Sequence, residues 1–259
     1  MLGVRVKQYN GVLEVTLDRP PANAIDLETS RQLGQAFVRL RNDPCLRVGI
    51  VTGNGSRFFS AGWDLKSAVR GGQVQDWGEG GFAGLTELFD LKKPVIAAVD
   101  GLAVGGGFEL ALACDLIVAS SSAEFFLPEA TLGLIADAGG VLRLPKRLPY
   151  AIAMEMFLTG RRMGAEEALS RGLINGVTLP GTALKRAIEL AEKIVSNAPL
   201  AVTAYKEVVN ATAHLPIPDG YHVMRSEACT SYHMMRESED FHEGPRAFTE
   251  KRTPRWQGC

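Results

Sequence analysis

Three consecutive glycines, Gly105 to Gly107, stand directly before Phe108 and Glu109 in the stretch AVGGGFELALACD. Glycine removes the side chains that keep a ligand away from the main chain, and the first amides of a helix have no intrahelical acceptor. Such amides suit an anion, or an oxygen that becomes one during reaction. A carboxylate in the first turn of an otherwise apolar helix adds a group able to carry a proton. Phosphate binding is the rival chemistry. However, no Lys-Ser or Lys-Thr follows the glycines, and a G-x-G-x-x-G spacing fails at Leu110. Close packing of a helix on a sheet satisfies the run equally well when it is taken alone.

A second stretch, FFSAGWDLK from Phe58 to Lys66, repeats the arrangement, with a strand-like run opening into Ala61 and Gly62. Two amides from separate loops are what an acyl carbonyl needs when it becomes an enolate, each donor being worth roughly 2.7–4 kcal/mol. A second carboxylate, Glu129, lies in FFLPEATLG, where Pro128 turns the chain. At the mouth of an apolar strand a carboxyl is held in its proton-bearing form more readily and can act as acid or base. Its plainer alternative is a capping charge on the surface. Glu124, in SSAEFF, reads as a strand-edge charge.

The elements that must position these groups are legible from periodicity. VRVKQYNGVLEVTLD reads as a hairpin about Asn10-Gly11. A helix begins near Asp26, where Asp26 and Thr29 offer capping chemistry and Leu33, Phe37 and Leu40 share a face. LRVGIVTGN, PVIAAVDG, DLIVAS and AEFFLP are short strands separated by glycine-bearing turns and helices, an α/β alternation. Beyond about Leu148 the pattern is mainly helical. The expected plan is an α/β core over residues 1–197 and a helical region over 198–259. Residues 71–84, GGQVQDWGEGGFAG, hold six glycines in fourteen without a period and are expected to form a mobile loop over the site.

The 259 residues are 46% hydrophobic with a formal net charge of −1, so neither nucleic acid nor an acidic membrane surface is an expected partner. Four cysteines without C-x-x-C spacing argue against a zinc site or a disulfide framework and fit a reducing, cytoplasmic setting. The first residues alternate like a strand, so no signal peptide is read there, and no stretch approaches membrane-spanning length.

The ordered set FFSAGWDL, KPVIAAVDGLAVGGGFELALACDLIVAS, FFLPEATLGL, AGGVLRLPKRL, TGRRMGAEEALSRGLIN and EGPRAFTEKR resembles the crotonase, or enoyl-CoA hydratase/isomerase, superfamily over essentially the whole chain. The stretches DRPPANAIDLETS, FSAGWDLK and GGFAGLTELF, with the run from GGVLRLPKRLP to the TGRRMGAEEAL segment, point towards members that dehydrate a carnitine-type thioester. The resemblance implies a spiral of ββα turns and a helical C-terminal oligomerisation region, as a homotrimer or a dimer of trimers. It implies hydration or dehydration of an enoyl-CoA by Glu109 and Glu129, with the backbone amides of Trp63 and Gly106 as the oxyanion hole. Contacts to the CoA moiety fall on Ala22, on Ala61, Gly62, Trp63, Asp64 and Leu65, and on Lys251. Neither a metal nor a permanently bound cofactor is implied; coenzyme A arrives as part of the substrate.

For a cationic acyl group, Trp63, Trp77, Phe82 and Phe126 are candidates for an aromatic wall, with plain packing as the alternative. The sequence departs from the family pattern at Pro21, where a lysine is common, and at Ala136 and Asp137. An acid eight residues after Glu129 is similar to dienoyl-CoA isomerases, which makes Asp137 a further candidate acid and isomerisation the enzymatic alternative. A non-catalytic, RNA-binding relative is disfavoured by the two glutamates and the absence of a basic stripe.

Overall fold

The computed structural model describes residues 3–66 and 76–258. Strands β1 (Val4–Tyr9) and β2 (Val12–Leu17) form the expected antiparallel hairpin, whose turn places Asn10 at φ 46° and Gly11 at φ 78°. Both values suit the left-handed turn that Asn-Gly favours between twisted strands. Helix α1 (Leu27–Asn42) is capped by Asp26, whose carboxylate accepts from the Thr29 amide at 2.9 Å.

From β3 onward the chain alternates between two sheets. Strands β3 (Val48–Gly53), β5 (Val95–Val99), β7 (Leu116–Ser120) and β10 (Gly176–Thr178) extend the hairpin into a six-stranded sheet in the order β1-β2-β3-β5-β7-β10. Strands β4 (Phe58–Ser60), β6 (Leu102–Val104), β8 (Glu124–Phe126) and β9 (Met163–Gly164) form a second sheet in that order. Each pass places one strand in each sheet and moves over by one position, which makes the fold a spiral. Helix α2 (Gly106–Ala113) follows β6; after β8 come a 3₁₀ turn at Glu129–Leu132 and helices α3 (Gly140–Arg147) and α4 (Tyr150–Thr159).

The main core joins Leu13, Val15, Leu17, Phe37, Val51, Phe59, Phe108 and Phe125, all fully buried. A second cluster lies on the opposite face of the large sheet. There Ala183, Ala187 and Ala191 of α6 (Ala183–Val195) pack on Val12, Val48, Ile50, Ile96, Ala98 and Val118; the short helix α5 (Ala165–Ser170) precedes β10. Covering both faces explains why the inner strands are continuously apolar rather than alternating.

Helices α7 (Pro199–Thr212), α8 (Ile217–Met224), α9 (Thr230–Glu237) and α10 (Glu239–Thr249) follow and bury little. Ala204 is the buried residue of α7, and α8 has none. Large apolar side chains stand in solvent here, with Phe248 88% and Tyr205 76% exposed. Among the described residues no helix is long and apolar enough to cross a membrane.

The glycine-rich segment differs from expectation. Gly80, Phe82, Ala83 and Gly84 are buried, and Gly84 abuts α1 so closely that a Cβ there would lie 2.1 Å from the Gly34 amide nitrogen. This half is packed structure and not a lid, because glycine here serves close backbone contact. Residues 71–75 lie outside the described residues.

Candidate active site

Each of the three glycines meets a different neighbour. A Cβ on Gly105 would lie 2.6 Å from Glu129 Oε1, one on Gly106 2.6 Å from the Phe82 ring, and one on Gly107 2.3 Å from the Ser60 carbonyl oxygen. At contacts below 3 Å a side chain would force its neighbour to shift, so the run brings the start of α2 against β4, Phe82 and Glu129 at once. Gly105 also takes φ 52°, which lets the chain turn from β6 into the helix.

The loop after β4 closes on the same point. A Cβ on Gly62 would lie 2.6 Å from the Gly106 amide nitrogen, and one on Gly106 3.4 Å from the Trp63 amide nitrogen. The Trp63 and Gly106 amides are therefore neighbours, and among the described residues neither has a backbone acceptor. The loop is held by the Ile25 amide donating to the Gly62 carbonyl at 2.7 Å and the Asp64 amide to the Ile25 carbonyl at 3.0 Å. Arg19 adds ion pairs to Asp26 at 2.8 Å and to Asp64 at 2.7 Å.

Glu109 sits one turn into α2 and is 3% exposed. Its Oε1 accepts from the Gly140 amide, the first of helix α3, at 2.8 Å. Burial pushes the Glu109 carboxyl up to about 7; the Gly140 hydrogen bond opposes this, the charges of Glu129 and Asp137 add to it, and Arg143 opposes it. Glu129, in the 3₁₀ turn after β8, is likewise raised by burial first and by Asp137 further. Its Oε2 is buried without a hydrogen-bond partner, and its other oxygen lies over Gly105. Two carboxyls whose proton affinity burial raises thus lie beside a pair of amides without a backbone acceptor among the described residues, an arrangement able to move protons about an oxygen that is gaining charge.

The structure brings Glu109, Glu129, Gly106 and Trp63 together, with Asp137 on the loop beside them. Ala22 and Ala61 are joined by the Ala61 amide donating to the Ala22 carbonyl at 2.9 Å, and Leu65 is 43% exposed on the same loop. Lys251, exposed beyond α10, has no hydrogen bond or ion pair to any of these among the described residues. Of the aromatic candidates, Phe82 is packed on Gly106 with Trp77 edge-on at 5.1 Å, and Phe126 has the Arg162 guanidinium over its ring at 4.5 Å. Trp63 stays 37% exposed.

Sequence reasoning missed Gly140 and Arg143. Arg143 donates to the Thr86 carbonyl at 2.5 Å and acts on Glu109 by its charge. The signal for Gly140 was the pair Gly139-Gly140 opening a helix, a shorter version of the run at Gly105.

The family described as enoyl-CoA hydratase/isomerase matches residues 7–259. Carnitinyl-CoA dehydratase of Proteus mirabilis (strain HI4320) is 58% identical over 248 residues, 95% of each chain. The protein of the same name from Citrobacter koseri is 56% identical over 252 residues, 97% of each chain. The crystal structure of enoyl-CoA hydratase from Mycobacterium tuberculosis H37Rv aligns with a TM-score of 0.91 at 45% identity, covering 100% of both chains. That of enoyl-CoA hydratase EchA1 from Mycobacterium marinum aligns at 0.92 with the same identity and coverage.

Proposed function

The chain belongs to the enoyl-CoA hydratase/isomerase family, and we propose that it is a hydro-lyase that reversibly dehydrates carnitinyl-CoA to crotonobetainyl-CoA. The observation that carries the chemistry is the pairing of the buried Glu109 carboxyl and the half-buried Glu129 carboxyl with the adjacent amides of Trp63 and Gly106, which have no backbone acceptor among the described residues. The substrate reading draws on the relatives' activity.

In the hydration direction the thioester carbonyl oxygen lies between the two amides. One carboxylate takes a proton from water as the hydroxyl oxygen bonds to Cβ. The other carboxyl gives its proton to Cα, and the amides hold the enolate formed between the two events. Dehydration runs the same steps in reverse. A glutamate that titrates near 7 is populated in both forms at neutral pH, which serves either direction. Coenzyme A enters and leaves as part of the substrate, with the Ala22 and Ala61–Leu65 strip as its contact and Lys251 as a phosphate contact. The exposed apolar face of α7–α10 is the surface for self-association into a trimer or a dimer of trimers, in a cytoplasmic setting.

The test is a spectroscopic panel of acyl-CoA thioesters that includes crotonobetainyl-CoA and crotonyl-CoA, with the products identified. Carnitinyl-CoA as the product, with kcat/KM about thirtyfold above that for crotonyl-CoA, is expected from a desolvated cation–π contact of about 2 kcal/mol. Equal efficiency on both thioesters would make the protein a general enoyl-CoA hydratase. Conversion of a 3,5-dienoyl thioester to its 2,4-isomer would instead establish isomerisation.

A further inference from the structure

We propose that Asp137 determines acyl-group specificity by supplying the counter-charge for a quaternary ammonium on the γ-carbon of the substrate. The inference rests on the substrate reading above and deepens it.

Asp137 lies in the segment that runs from Glu129 to Gly140, the residue whose amide holds Glu109. That segment is tied at its start by the Leu134 amide donating to the Glu129 carbonyl at 3.0 Å. At its end the Gly140 amide holds Glu109 at 2.8 Å, and the Val141 amide donates to the Ala136 carbonyl at 3.1 Å. Buried Ala136 packs against Gly140, so the residue that follows it is held close to the hydrogen bond between Gly140 and Glu109. The Asp137 carboxylate is exposed, and among the described residues it accepts no hydrogen bond and joins no ion pair. Both glutamates feel its charge. Arg143, the guanidinium that acts on Glu109, is committed to the Thr86 carbonyl.

For a neutral acyl chain, a third negative charge here has no partner and only disfavours ionisation of the other two. A quaternary ammonium inverts that balance. It has no N–H to donate, so it selects charge and apolar surface over hydrogen-bond geometry. Both are present: beside the unpaired carboxylate the same segment exposes Leu132 (53%), Leu134 (42%) and Ile135 (67%), and the neighbouring loop exposes Trp63.

The experiment compares kcat/KM for crotonobetainyl-CoA with that for its neutral carbon isostere, 5,5-dimethylhex-2-enoyl-CoA, in the parent, Asp137→Asn and Asp137→Glu. Both substrates pass the same glutamates, so changes in their proton affinity, or in the folded fraction, cancel in the ratio. The charged-to-neutral ratio is expected to fall about tenfold in Asp137→Asn, about 1.4 kcal/mol. Asp137→Glu is expected to retain most of it. A parent that prefers the charged substrate with a ratio unchanged in Asp137→Asn overturns the role of Asp137 and leaves the substrate reading standing. A parent without that preference overturns both.

Discussion

Glu109 carries a cost that its position imposes. Its carboxyl ionises at about 7 in the fold against 4.5 when solvated, so between those values the folded chain holds a proton that the unfolded chain has lost. Stability therefore falls as pH rises through that window, and the full cost, on the order of 3 kcal/mol, is present above it. Glu109→Gln should accordingly melt higher than the parent at pH 8 and close to it at pH 5, as calorimetry at the two values will read. The same substitution should lower kcat about 10²–10⁴-fold, as should Glu129→Gln, with CoA affinity nearly unchanged. Near-parental turnover in either variant would remove that residue from the chemistry. Stabilised but inactive is the combination a catalytic carboxylate predicts and a capping charge does not.

At the scale of elements, the site is the meeting of two strand-to-loop turns and one helix start. The contact is backbone on backbone: the Gly62 Cβ position lies 2.6 Å from one amide nitrogen of the pair and the Gly106 Cβ position 3.4 Å from the other. Gly106→Ala must displace Phe82 or the Trp63 loop. We expect kcat to drop about 10²-fold with the circular dichroism spectrum unchanged, the loss typical of one oxyanion donor. A drop in affinity alone would assign the glycine to substrate packing. Arg19 works on the same contact from outside, tying Asp64 to the cap of α1. Asp64 thus holds the loop by its side chain, whatever its backbone offers to coenzyme A.

For the whole molecule, the spiral buries its sheet on both faces, while the last four helices leave Tyr205, Ile217, Met234 and Phe248 more than half exposed. Exposed apolar side chains on four successive helices are the ground for the proposed self-association surface. Light scattering at micromolar concentration should give a mass of three chains or a multiple of three, and Phe248→Asp should shift it towards the monomer. Monomer alone in the parent would leave the surface without a partner of its own kind.

What the sequence determined by itself was local or stereochemical. Asn10-Gly11 permits the hairpin turn, Asp26 caps α1, and the runs at Ala61–Gly62 and Gly105–Gly107 announce close approach, because only glycine tolerates it. The two glutamates were legible as residue types beside those runs. What tertiary structure decided was which groups face one another. The Gly140 amide is 31 residues from Glu109 in the chain, and no periodicity joins them. The packed half of the glycine-rich segment was misread for the same reason, since composition does not distinguish a glycine that moves from one pressed against a helix. The protonation of Glu109 and Glu129 likewise belongs to the fold. Burial and the charge of Asp137 raise the proton affinity of both, the Arg143 charge opposes this at Glu109, and those neighbours exist only once the spiral has closed.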